Sequence, residues 1–205
     1  MGKIVISANV TLDGVVQDPD GQEGFERGGW FHQFVGGQDL QAWIAHETEE
    51  ALGAQALLLG RRSFEWFESR SPFMGERVSR KWADQMNHLP KYVVSSTLEH
   101  PQWNNTRRLP RHGVDEISAL KRSVSGEILV YGSGQLVRTL MAHNLADELR
   151  LVVFPVVLGA GLRLFDGAGD KRPLRLVDTR KIGDSLVHHT YEFTQDQWPL
   201  TAQSR

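Results

Sequence analysis

The sequence predicts an α/β protein, with a mostly parallel central sheet flanked by helices and an antiparallel C-terminal edge. Three observations carry this expectation. Apolar, β-branched runs alternate with amphipathic runs of helical period, and a polar or glycine-containing junction separates each pair. The runs themselves are almost continuously apolar, as strands buried on both faces of a parallel sheet must be. At the C-terminal end the helical runs stop, and two β-prone segments joined by "KIGD" read as a hairpin.

Taken in order, residues 3 to 10 form the first strand, and "TLDGVV" passes through an Asp13-Gly14 turn into further β-prone residues. From 17 to 37 the chain is rich in glycine and carries "DPDG" and "RGGW". It is expected to be a long, partly mobile loop with exposed aromatics Phe25, Trp30 and Phe31, placed to cover a site. Residues 38 to 53, with Leu40, Trp43, Ile44 and Ala51 apolar and a closing glycine, form a helix. "AQALLLG" is a short buried strand, and "RRSFEWFES" starts a helix directly after Gly60. A helix near 76 to 87 leads to the strand "KYVVSST", and a polar connection leads to a helix over 114 to 123. Glu127 to Tyr131 is the next strand, feeding Gly132-Ser133-Gly134 and a helix over 135 to 143. "ELRLVVFPVVLG" is a strand passing through Pro155, and segments 173 to 181 and 185 to 194 close the fold. Residues 1 to 195 are expected to be one domain, followed by a polar, disordered tail over 196 to 205.

Composition removes several function classes. The 205-residue chain has a formal net charge of -2 and no basic run longer than two residues, too little to track a nucleic-acid backbone. It has no cysteine, which excludes disulfides, thiolate catalysis and thiolate zinc sites. Adjacent His188 and His189 on a strand face opposite sides, and "AHETEE" lacks a second histidine four residues after His46, so no metal is expected. No run approaches the length of a membrane span, and a soluble, cytoplasmic protein without membrane partners is expected.

Chemistry concentrates at the junctions, because ligands of open α/β sheets bind at the carboxyl ends of the strands. Arg61 and Arg62 place fixed positive charge at a helix start where the Ser63 hydroxyl adds a hydrogen bond, an arrangement suited to a phosphate monoester. Ser63 is equally a good helix cap. Ser95 and Ser96 suit a phosphate or ribose, or a simple turn. Gly132, Ser133 and Gly134 at a strand-to-helix turn let backbone N–H groups approach an anion, or make only a tight turn.

Together, "SANVTLDGVV", "LLLGRRSFEWF", "KYVVSST", "ILVYGSGQLVRTLM" and "LADELRLVVFPVVLGAGLRLF" resemble the dihydrofolate reductase-like superfamily. The specific likeness is to the reductase domain of the bifunctional riboflavin-biosynthesis deaminase-reductase, over nearly everything from Lys3 to Phe193. The resemblance implies a dihydrofolate reductase-like sheet binding NADPH across the strand ends. Gly60, Arg61, Arg62 and Ser63 match the segment for the adenosine phosphates, with Ser95 and Ser96 beside the adenosine. Gly132, Ser133, Gly134, Gln135 and Leu136 match the pyrophosphate loop, and Asn9, Val10 and Val16 match residues facing the nicotinamide. It also implies a homodimer. The chain departs from the riboflavin reductases at Tyr131, where they usually carry glutamate against the substrate, and so the substrate is left open.

The resulting expectation is an NADPH-dependent reductase of a small, heterocyclic molecule; the alternative is a nicotinamide-nucleotide-binding regulatory or sensing protein without turnover. Hydride transfer asks little of the protein beyond positioning and exclusion of water, so no unique catalytic residue need be visible. Asp13 is the catalytic candidate, against a reading as a turn residue. Tyr131, Trp30 and Phe31 are the substrate-facing candidates, whereas Trp43 and Trp66 read as core.

Overall fold

A computed structural model describes residues 1–110, 113–165 and 171–194. Its eight strands are β1 (Lys3–Thr11), β2 (Ala54–Gly60), β3 (Lys91–Val94), β4 (Thr106–Leu109), β5 (Glu127–Tyr131), β6 (Glu148–Phe154), β7 (Leu174–Ile182) and β8 (Leu186–Phe193). They form one sheet in the order β4-β3-β2-β5-β1-β6-β8-β7, parallel from β4 to β6 and antiparallel over β8 and β7. The helices are α1 (Trp30–Gln33), α2 (Gly37–Gly53), α3 (Arg61–Arg70), α4 (Met74–Arg77), α5 (Arg80–His88), α6 (Val114–Ser123) and α7 (Gly134–Ala142). The tail expected over 196–205 lies outside the described residues.

Alternation along β1 explains why both faces are covered. Ile4, Ile6, Ala8 and Val10 enter one core with Leu120, Leu136 and Leu140, while Val5 enters the other with Leu57, Leu59, Trp82 and Leu129. A third cluster joins Trp30 and Phe31 to Val152, Phe154, Ile182 and Leu186. Trp30 packs edge-on against Phe154 at 5.1 Å and donates Nε1–H to the Gln17 carbonyl at 2.8 Å. The expected exposure of these two aromatics is therefore corrected: four residues of helix are too short to show a 3.6-residue period, and the surrounding glycines hide them.

The 17–29 segment likewise has a fold of its own, wound around Asp18. That buried carboxylate accepts the Glu23 and Phe25 amides at 2.9 and 3.0 Å, and its carbonyl accepts the Gly29 amide. Two strand boundaries and one whole strand also differ from expectation. β3 stops at Val94 because Ser95 Oγ turns back to accept the amides of Thr97 and Leu98. β6 stops at Phe154 because Pro155 has no N–H to give the ladder. The edge strand β4, "TRRL", carries too few apolar residues to announce itself.

Candidate active site

The site begins where β5 ends. β1 pairs with β5 only as far as Ser7 and Tyr131, yet it continues beside β6 to Thr11 and Phe154. A notch therefore opens at the carboxyl end of β5, bordered by Ala8–Thr11. It lies where the strand order reverses, the position at which open α/β sheets admit ligands.

Two helix N-termini converge at this notch. α3 starts after Gly60 and α7 after Ser133, and neither has a side-chain cap, so the first amides of both helices, which have no intrahelical acceptor, also lack a capping one. Ser133 is left-handed at φ 63°, and its hydroxyl accepts the Gly60 amide at 3.0 Å and meets the Ser63 hydroxyl at 2.7 Å. Ser63 is thus inside α3, not its cap. Gly132 is also left-handed, and a Cβ there would stand 3.2 Å from Ser63 Oγ. Junctions 70 residues apart in sequence are locked together, with two partial positive charges side by side.

Arg61 connects the third junction to this pair. Its guanidinium donates to Thr97 Oγ1 and to Glu65 Oε1, both at 2.6 Å. Arg62 is exposed and has no ion-pair partner among the described residues. Ser95 is buried and its oxygen serves the turn amides, which removes it as a free ligand group; exposed Ser96 carries the available hydroxyl. Gly134 and Gln135 stand open at the start of α7, while the Leu136 side chain is buried.

At the other end of the notch, Trp43 of α2 donates Nε1–H to Asn9 Oδ1 at 3.0 Å, fixing the Asn9 amide. Val10 has its side chain in the core, so only its backbone can meet a ligand; Val16 is half-buried. The Asp13 carboxylate is fully engaged. Thr11 Oγ1, the Leu158 amide at 3.1 Å and the Gly159 amide at 2.8 Å all donate to it. The Thr11 bond leads in holding its pKa down to about 2, and an acid that strong carries no proton to give near neutrality. Its place is structural, tying the 158–159 loop to the first turn. Trp30 and Phe31 lie in the core and do not wall the site.

Tyr131 is buried, and its side chain points to the α2–α5 face, 5.8 Å between ring centroids from Phe67. Two buried carboxyl groups of α2, Glu47 and Glu50, flank it. Burial pushes both up, and Glu50 adds to the rise at Glu47. Burial, then the Glu47 and Glu50 charges, also push the phenol well above its ordinary value. The sequence places both acids on this helix but in no motif that assigns them a role. A usable signal existed: positions 40, 43, 47, 50 and 51 share one helical stripe, so Glu47 and Glu50 fall on the apolar face of α2. The segment 17–29 reaches across to α3, where Trp66 Nε1 and Arg70 Nη2 donate to Asp20 Oδ2 at 3.1 and 3.2 Å.

Comparison with known proteins agrees with this architecture. A family model described as the RibD C-terminal domain matches residues 2–188. Two uncharacterized proteins of Bacillus subtilis (strain 168), YyaP and YwjB, are 26% and 25% identical over 193 and 187 residues. These alignments span 93% and 91% of this chain, and 95% and 96% of theirs. Among solved structures, a putative riboflavin biosynthesis protein from Shewanella sp. PV-4 superposes with a TM-score of 0.70 at 21% identity, over 94% of this chain and 99% of that one. RibD of Acinetobacter baumannii gives 0.57 at 15%, over 95% of this chain and 58% of that longer chain. Both likenesses are of fold.

Proposed function

We propose, from the premise that this chain belongs to the RibD C-terminal domain family, that it is an NADPH-dependent reductase of a small, heterocyclic substrate. The observation that carries the reading is the convergence of the α3 and α7 N-termini, locked through Gly60, Ser63 and Ser133, with Arg61 and Arg62 at the rim. An anion-binding corner without a side-chain cap at either helix, and without a Cβ at Gly132, fits a dinucleotide pyrophosphate.

In this reading the amides of Gly134, Gln135 and Leu136 hold the pyrophosphate. Arg61, Arg62 and Ser63 take the 2′-phosphate end, with Ser96 beside the ribose. Asn9 and the backbone of Val10, with Val16, border the nicotinamide. Bound there, the cofactor supplies the hydride. The chain contributes orientation and exclusion of water under the 17–29 segment. Residues 1–195 act as one reductase unit, in a homodimer.

Tyr131, in place of the glutamate of the riboflavin reductases, favours a second reading in which the nucleotide binds without turnover. Binding and turnover are tested separately. Titration by quenching of protein fluorescence is expected to give tighter binding of NADPH than of NADH. Arg61→Ala with Arg62→Ala is expected to weaken NADPH by about tenfold or more while sparing NADH. Equal losses for the two nucleotides would overturn the 2′-phosphate assignment. Oxidation of NADPH in a panel of pterins, flavin precursors and quinone-like carbonyls selects the reductase reading; saturable binding with no oxidation selects the second.

A further inference from the structure

We infer that the outer edge of β7 is the surface on which a second copy of this chain docks, strand against strand. The inference rests on the homodimer reading above and gives it a place. β7 is a nine-residue edge strand, and every residue from Arg175 to Lys181 is exposed, whichever face of the sheet it points to. Among these, Leu176 and Val177 are 53% and 48% exposed. A long edge that presents unpaired backbone groups and apolar side chains, with no proline in the strand and no covering loop among the described residues, is a template for another strand. Among the described residues Asp178 has no ion-pair partner, and Arg180 spends one guanidinium nitrogen on His46 Nδ1, at 2.9 Å.

Symmetry and pleating then restrict the pairing over Asp178 to Lys181, the stretch beyond the bulge at Val177. In an antiparallel pair, directly opposed residues share a face, so a two-fold axis normal to the sheet opposes residues whose numbers differ by an even count. Centring the axis on Asp178 or on Arg180 would set like charges opposite each other. Centring it on Thr179 sets Asp178 of each copy opposite Arg180 of the other, twice; Val177 is the extra residue of a bulge against β8 and stands outside this alternation. The sequence of one edge is thus complementary to itself in that register, and pairing would join two eight-stranded sheets into one. The Asp178 and Arg180 side chains also wall a polar cavity of about 390 Å³ under α2, shared with His46, Glu49, Glu50 and His188. The proposed interface therefore runs along the opening of that cavity.

Light scattering coupled to size exclusion, on the full chain over a concentration series, tests this. The wild type is expected to be a dimer. Asp178→Arg is expected to weaken association by tenfold or more, and Asp178→Arg combined with Arg180→Asp to restore it, because the swap returns opposite charges to the same register. Circular dichroism melts establish that each variant is folded. A wild-type monomer at all concentrations would overturn the homodimer reading and this surface together. A wild-type dimer that Asp178→Arg leaves intact would overturn the surface alone. Loss in the single variant without recovery in the swap would overturn the Thr179-centred register.

Discussion

His46 and His188 are buried against each other with ring centroids 4.5 Å apart, beside Arg150 and Arg180. Burial holds them neutral, with pKa values pulled from 6.5 down to about 3 and about 4; the neighbouring arginines act in the same direction. Arg180 can only donate, so His46 Nδ1 accepts and its hydrogen sits on Nε2. Between roughly pH 6.5 and pH 4 the unfolded chain binds protons that the folded chain refuses, and stability falls as the pH falls through that window. Glu47 and Glu50 act in the opposite sense. Their folded pKa values are raised above 4.5, so their contribution is full below that value and is lost as the pH rises through the folded pKa. In melting temperature against pH, His188→Gln is expected to flatten the acid limb and Glu47→Gln the limb above pH 4.5. Profiles parallel to the wild type would contradict both assignments. The carboxyl groups were visible on the apolar stripe of α2, but their proximity to Tyr131 was not, since it depends on how α2 crosses β5.

At the scale of elements, α2 is pinned at its start. Asp39 accepts the amides of Asp184 and Ser185 and the Ser185 hydroxyl, tying the helix to the β7–β8 turn. Gly183 in that turn is left-handed at φ 60°, and a Cβ there would collide with the Asp39 carboxylate. Asp39→Ala removes a charged acceptor from two turn amides and a hydroxyl that lie toward the surface, and is expected to cost about 1–2 kcal/mol in urea unfolding. A change under about 0.5 kcal/mol would mean that the turn finds other partners. The same register that places Asp39 at the turn places Trp43 over Asn9, one helical turn further on. The helices and strands themselves were largely legible, because each carries its own period. The short α1 and the polar β4 were not, since four residues give too little pattern to read.

For the whole molecule, a ligand that binds only the folded state raises its melting temperature by linkage. NADPH at about one hundred times its dissociation constant contributes about 2.7 kcal/mol. For a chain of this size that corresponds to a shift of roughly 5–10 °C. Scanning calorimetry is expected to show this shift with NADPH and a smaller one with NADH at equal concentration. The absence of a shift with either nucleotide would overturn the nucleotide site as a whole.

The sequence by itself determined the α/β order, the near-continuous apolar strands, the closing hairpin and the glycine and hydroxyl residues at the strand ends. These follow from local periodicity and backbone preference, which act within a few residues. Only the tertiary structure decided that Ser63 and Ser133, 70 residues apart, hold one another and bring two helix N-termini together. It also decided that Asp13 holds the 158–159 loop, that Trp30 and Phe31 are core, and that Glu47 and Glu50 stand buried beside Tyr131. Such contacts depend on strand order and on the crossing of helices over the sheet, and no window of sequence contains both partners.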